Sequence, residues 1–190
     1  MNEPAPKNSA ARIVVGVSSC LLGNCVRHDG GHKANSTIIE TLGQQFEFHA
    51  FCPELEIGLG VPRRAIQLRR LGSNMIRCVT VDDIAIDHSD ALLDCADNQL
   101  KWQEGLSGYI LKAGSPSCGM EGVAVWDGHD SVQSTICDGD GIYAARLMQN
   151  LPDLPVEEEG RLEDPSLRDR FVRRVQARHR WLEMHKFKEP

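Results

Sequence analysis

The chain begins with short apolar runs that are separated by a longer amphipathic segment. Residues 12–17 (RIVVGV) and 46–51 (FEFHAF) are rich in β-branched and aromatic side chains, a composition typical of buried strands. Between them, residues 37–46 place apolar side chains three or four positions apart, which predicts a helix. Thr37 and Glu40 have the spacing of a capping box at its start.

The same alternation continues along the chain. Residues 76–81, 109–112 and 122–126 predict further strands, whereas residues 90–106 and 142–150 carry helical apolar stripes. The order strand, helix, strand, helix, strand predicts an α/β fold, with a Rossmann-like, mainly parallel sheet flanked by helices.

The end of the chain has a different pattern. Residues 151–163 (LPDLPVEEEGRLE) are rich in proline and acidic residues, which predicts a linker after an α/β domain at 12–150. Asp164, followed by proline, marks the start of a C-terminal helix at 164–190. This helical extension is either the first element of a second domain that this chain does not contain or an element docked on the core. Residues 1–11 are polar and predict a flexible N-terminus.

Composition and charge narrow the class of protein. A chain of 190 residues with 41% hydrophobic residues is long enough to bury a core. A net charge of -6 argues against nucleic-acid binding through bulk charge, although basic residues cluster at 62–70 and 167–180. The sequence contains no apolar run of the roughly 20 residues that cross a bilayer and no secretory signal. We therefore expect a soluble, cytoplasmic protein without a membrane partner.

Cysteines provide the main chemical signal. The chain has seven, an odd number, and none is arranged as CxxC, so some thiols are free or bind a metal. Cys20, Cys52 and Cys118 each follow a predicted strand, and the carboxyl ends of parallel strands share one edge of a sheet. Three thiolates far apart in sequence suit an iron-sulfur cluster better than zinc, and leave one iron open as a Lewis acid. Cys25 is either a fourth ligand, a redox partner or incidental.

Several polar residues near these cysteines are candidates for acid-base chemistry. Glu54 lies two residues after Cys52, and Lys112 ends the predicted strand before Cys118. Asp29 is a further candidate, although it could equally be a turn residue before two glycines. Ser115 flanks a proline in the SPSCG segment and could cap a turn or hydrogen-bond a substrate.

Three segments in this order, SSCLLG with VRHDGGHK, then CPELEIGLGVPR, then LKAGSPSCG, resemble the thiouracil desulfidase family, long known only as a domain of unknown function. The resemblance covers roughly residues 14–148. It implies an α/β fold that holds a 4Fe-4S cluster on three cysteines, which here are Cys20, Cys52 and Cys118.

The resemblance also implies a reaction, the removal of sulfur from a thiolated uracil to give uracil or uridine and hydrogen sulfide. Glu54 and Ser115 would then be catalytic, and Arg27, Asp29 and Lys112 would bind the base or a phosphate. The substrate would be a small thiolated base or a nucleotide. The segment after residue 148 resembles the junction in longer relatives, in which a helical domain follows and the fused protein acts on tRNA thiouridine. A tRNA partner is therefore expected if the full protein has such a domain.

Three other functions are compatible with the residues. A metal-free enzyme could use Cys20 as nucleophile and Arg27 as a clamp for an anionic ester, which requires a low thiol pKa. An RNA-binding module could use the basic C-terminal helix, with the cysteines forming a structural metal site. A structural zinc protein would need a fourth ligand such as Cys25.

Overall fold

The computed structural model of the protein describes residues 12–71, 75–127 and 135–186, with the backbone alone at 135–138 and 186. The predicted flexible N-terminus, residues 1–11, lies outside the described residues, as do the last four residues of the predicted C-terminal helix. The strands are β1 Val14–Ser18, β2 Glu47–Phe51, β3 Ile66–Leu71, β4 Met75–Thr80, β5 Asp83–Asp87, β6 Gly108–Leu111, β7 Val123–Trp126, β8 Thr135–Gly139 and β9 Val156–Glu158. The α-helices are α1 Pro53–Glu56, α2 Ser89–Asn98, α3 Leu100–Gln103, α4 Ile142–Asn150 and α5 Pro165–Lys186.

The first sheet is parallel and has the order β2-β1-β6-β9. Every neighbouring pair in it is parallel, with Val17 of β1 opposite both Ala50 of β2 and Ile110 of β6. Val15, Val17 and Ile110 are fully buried between the layers. The predicted mainly parallel α/β fold is confirmed, and the carboxyl ends of β2, β1 and β6 lie side by side at one edge.

A second, mixed sheet has the order β5-β4-β3-β7-β8. Its pairs are antiparallel except for β3 and β7, which run parallel. Only β4 and β7 of this sheet are predicted from the sequence. β3 overlaps the basic cluster at 62–70, whose charged residues do not have the pattern of a buried strand, although Leu68 of β3 is fully buried.

The predicted helix at 37–46 is a π-helical turn followed by a 3-10 turn. The capping box does not form: the Thr37 hydroxyl donates to Glu163 at 2.8 Å, and the Ile38 N–H donates to Asn35 Oδ1 at 2.9 Å. Asn35 therefore caps this turn, and Thr37 connects it to the segment before α5. The predicted long helix after β5 is present as α2 and α3.

The prediction of a linker at 151–163 is wrong, because this segment contains β9, the edge strand of the parallel sheet. Leu154 and Val156 are buried in the core. The acidic side chains that suggested a solvated linker have partners; Glu158 Oε1, for instance, accepts a hydrogen bond from the Met120 N–H at 2.7 Å. The α/β domain therefore extends beyond residue 150.

The C-terminal helix α5 packs on the parallel sheet, so it is docked on the core, one of the two alternatives that the sequence allows. Asp164 caps it by accepting from the Ser166 N–H at 2.7 Å. Phe171 and Val175 are buried, and a Cβ at Gly108 of β6 would lie 2.6 Å from Val175 Cγ2. Whether α5 also begins a second domain stays a prediction. In the part of the chain described by the structure, no helix is both long and apolar enough to cross a membrane.

Candidate active site

A cavity of about 300 Å³ lies at the carboxyl edge of the parallel sheet, and Cys20, Cys52 and Cys118 line it. Cys20 is in a 3-10 turn directly after β1, and Cys52 directly follows β2. Cys118 is in the loop after β6. Because β2, β1 and β6 are adjacent and parallel, their ends bring the three thiols to the same place.

The three thiols are free cysteines in a largely buried environment. Burial, with a smaller contribution from the neighbouring Cys52, raises the pKa of Cys20 to about 11, although Lys112 and Arg27 partly oppose this shift. Burial also raises the pKa values of Cys52 and Cys118. A metal-free nucleophile requires a low thiol pKa, so these surroundings do not favour that alternative.

The donor set fits an iron-sulfur cluster. Cys52 affects the pKa values of both Cys20 and Cys118, so the three thiols lie close enough to influence one another. Among residues 12–71, 75–127 and 135–186, no group of three His, Cys, Asp or Glu side chains is arranged to hold a single metal ion. A cluster is larger than an ion and takes its thiolate ligands further apart, and three soft sulfur ligands suit iron-sulfur chemistry.

The remaining cysteines have other environments. Cys25 is exposed and is not among the residues that line the cavity, so the structure gives no support to a fourth ligand there. Cys78 and Cys95 are buried in the hydrophobic core. The side chain of Cys137 lies outside the described part of the chain.

Glu54, in the first turn of α1, lines the cavity beside Cys52. Its Oε2 accepts hydrogen bonds from Arg63 Nε at 2.9 Å and Nη2 at 2.7 Å. Its Oε1 accepts one from the Ser117 hydroxyl at 2.7 Å. The side chains of Glu54 and Arg63 are only 14% and 5% exposed, so this ion pair is well shielded from solvent.

Two serines extend the hydrogen bonding of Glu54 toward the cavity. Ser115 lines the cavity, and its hydroxyl is 3.1 Å from the Ser117 hydroxyl and accepts from the Cys118 N–H at 3.2 Å. Because Ser117 uses its proton on Glu54, Ser115 is the donor between the two hydroxyls. Ser115, Ser117 and Glu54 thus form a chain of hydrogen bonds.

The three predicted substrate-binding residues have different positions. Lys112 and Arg27 line the cavity, but Lys112 Nζ is bound to Glu159 Oε1 at 2.5 Å. Asp29 is not among the lining residues; its Oδ1 accepts from the Gly31 N–H at 3.0 Å and lies 3.5 Å from Arg27 Nε. The Gly31 N–H is the main cause of the lowered pKa of Asp29. Asp29 therefore has the geometry of the turn residue that the sequence also allowed, and its contact with a substrate stays a prediction.

Several residues at the cavity were not predicted from the sequence. Arg63, Lys33 and His28 line it, and Ser117 lies behind it. Arg63 ends the GLGVPR segment, and its position in that motif was the signal that could have identified it. Cationic side chains thus outnumber the single carboxylate, Glu54, on the described wall of the cavity.

A family model, 2-thiouracil desulfurase, matches residues 15–159. The chain belongs to this family. A solved structure of the 4Fe-4S-dependent thiouracil desulfidase TudS is similar to this 2-thiouracil desulfurase family member, with a TM-score of 0.60 and 32% identity over 80% of this chain and 95% of that chain. A search of curated protein sequences finds no significant relative. The match to the family model ends at Glu159, just after β9, which agrees with β9 being part of the α/β domain.

Proposed function

We propose that this protein is a 4Fe-4S-dependent desulfidase that removes sulfur from a thiolated uracil. The observation that carries this proposal is the convergence of three free thiols, two buried and one partly buried, on one cavity that also contains a carboxylate; they lie in the segments that follow three adjacent parallel strands. Family membership and the likeness to TudS support the same reaction. Water replaces the sulfur, so a thiocarbonyl and one water give a carbonyl and hydrogen sulfide.

Cys20, Cys52 and Cys118 would hold the cluster as thiolates. When bound, the cluster supplies a soft Lewis-acidic iron for the sulfur of the substrate. Cys20 and Cys52 follow two hydrogen-bonded strands directly, and the loop after a third strand carries Cys118. Lys112 and Arg27 would offset part of the negative charge of the Cys20 thiolate.

We assign the proton transfers of the reaction to Glu54, which lines the cavity beside Cys52. In our proposal it accepts a proton from the water that adds to the thiocarbonyl carbon, and that proton leaves with the sulfide. Ser115 orients the substrate or passes a proton, since this residue lines the cavity and its hydroxyl connects through Ser117 to Glu54. The hydrogen bonds of these residues support both roles.

Arg27 and Lys33 are at the cavity wall and suit a base carbonyl or a phosphate. Lys112 is paired with Glu159, so its contribution is to the shape and charge of the wall. The substrate is a thiolated uracil as free base, nucleotide or tRNA thiouridine. The arginine-rich α5 supports the tRNA form, for which binding would weaken steeply with salt. The free thiols suit the reducing cytoplasm.

Anaerobic turnover of thiouracil, thiouridine monophosphate and thiolated tRNA, with detection of uracil or uridine and of sulfide, tests the proposal. We expect sulfide from at least one of them, and Glu54→Gln should lower kcat by about 10² or more without lowering iron content. The proposal fails if protein with a full complement of iron releases sulfide from none of the three.

A further inference from the structure

We propose that Arg63 is a positioning residue of this reaction: it fixes the Glu54 carboxylate so that Oε1 alone faces Ser117 and the substrate. This inference rests on the proposed function, because it assigns Glu54 the proton transfer. Its geometric part concerns only protein side chains and can be tested separately.

The guanidinium of Arg63 holds only one oxygen of Glu54. Nε and Nη2 both donate to Oε2, at 2.9 and 2.7 Å, whereas Oε1 receives only the Ser117 hydroxyl. A carboxylate oxygen accepts two hydrogen bonds readily, so Oε2 is saturated and Oε1 keeps an acceptor site. The two oxygens therefore have different roles: Arg63 holds Oε2, and this leaves Oε1 for Ser117 and the substrate.

Arg63 is itself held firmly. Its Nη1 donates to the Gly60 carbonyl at 2.8 Å, and its backbone N–H donates to the His28 carbonyl at 3.0 Å. Gly60 has a φ of 71°, a left-handed conformation that other residues rarely adopt. The guanidinium is thus fixed at three nitrogens, and its side chain is 5% exposed.

Only arginine supplies this arrangement. Its planar guanidinium lets two neighbouring N–H groups converge on one oxygen while a third nitrogen donates to a carbonyl, whereas the lysine ammonium is a single point of contact. Without the guanidinium, the Glu54 carboxylate can rotate about its last torsion and lose the Ser117 contact. A displacement of about 1 Å at a catalytic group can cost about 10² in rate.

The test compares Arg63→Ala and Arg63→Lys with Arg64→Ala. Arg64 is a matched control, since it is the adjacent arginine and forms an ion pair with Asp82, but its side chain is 47% exposed and does not line the cavity. Each variant is purified anaerobically with its cluster and is assayed for iron content, thermal stability, kcat and KM with the best of the three thiolated substrates.

We expect kcat to fall about 10² for both Arg63 variants, with KM changed less than about threefold and Arg64→Ala unchanged. Added guanidinium should partly restore Arg63→Ala but not Glu54→Gln, since only the former lacks a guanidinium. A rise in KM at unchanged kcat would mean that Arg63 binds the substrate directly, and overturns the proposal. Equal kcat values in Arg63→Lys and the wild type also overturn it. Arg63→Lys keeps the positive charge, so it still tests the proposal if Arg63→Ala fails to fold.

Crystal structures of the wild type and Arg63→Lys give a readout independent of activity. We expect the 2.7 Å contact between Glu54 Oε1 and Ser117 to be lost or disordered in the variant. If that contact is unchanged, the positioning role is refuted, whatever the activity. If the wild type releases no sulfide while the contact does depend on Arg63, the proposed function fails but the geometric inference stands.

Discussion

Replacing Gly108 by alanine tests whether α5 is an integral part of the domain. The new Cβ would lie 2.6 Å from Val175 Cγ2 and 3.3 Å from Phe171 Cζ. Both side chains are buried, at 0% and 1% exposure, so neither can move aside into solvent. Overpacking of this kind costs about 1–3 kcal/mol. For a domain of this size, about 2 kcal/mol corresponds to a fall in Tm of roughly 4–8 °C.

Thermal melts followed by circular dichroism at one scan rate measure the effect, and a second substitution makes the test specific. Val175→Ala removes two buried methyl groups, at a cost of about 2 kcal/mol. In the double variant the new Cβ fills part of that space, so the combined loss should be about 1 kcal/mol or more below the sum. Gly160→Ala is the control, because nothing lies within 4 Å of its Cβ. Additive losses, or a wild-type Tm for Gly108→Ala, would refute the docking of α5 on β6.

Two further predictions concern the walls of the cavity. Glu159→Ala removes the acceptors of Lys112 Nζ and the Ala113 N–H, which are largely shielded from solvent, and should lower the free energy of unfolding, measured in urea, by about 2–4 kcal/mol. Asp82→Ala breaks an exposed ion pair and should cost less than about 1 kcal/mol. Equal losses in the two variants would contradict this account. In cluster-free protein, the raised pKa of Cys20, about 11, keeps the thiol protonated below that pH, so its alkylation measured by peptide mass spectrometry should accelerate about tenfold per pH unit from pH 8 toward 11. Fast alkylation of Cys20 at pH 7 would contradict this prediction and would favour the alternative in which Cys20 is a metal-free nucleophile.

The parallel sheet and the meeting of the cysteines could be predicted because both depend on local patterns. Residues 12–17 and 46–51 are rich in apolar, β-branched and aromatic residues; Cys20 comes three residues after the first run, and Cys52 directly follows the second. Strands joined by crossovers run parallel, so their ends share one edge. Chain order alone therefore predicts that Cys20 and Cys52 lie close together, and in the structure both line one cavity.

What the sequence did not reveal depends on partners distant in the chain. β9 lies among proline and acidic residues, and it is buried through its pairing with β6, the packing of Val156 in the core and the contact of Glu158 with the Met120 N–H. Arg63 and Ser117 meet at Glu54 from positions 9 and 63 residues away, which no local periodicity encodes. Charged residues with buried partners look like solvated residues in sequence, and this is why the linker prediction failed.

The most direct test of the central claim is iron and sulfide analysis of anaerobically purified protein, with visible spectra, for the wild type and for single alanine variants of Cys20, Cys52, Cys118 and Cys25. The account predicts about four irons and four sulfides per chain in the wild type and in Cys25→Ala. It predicts loss of the cluster in each of the other three variants. A cluster that survives loss of any one of those three cysteines, or one that requires Cys25, would contradict the assignment of the site.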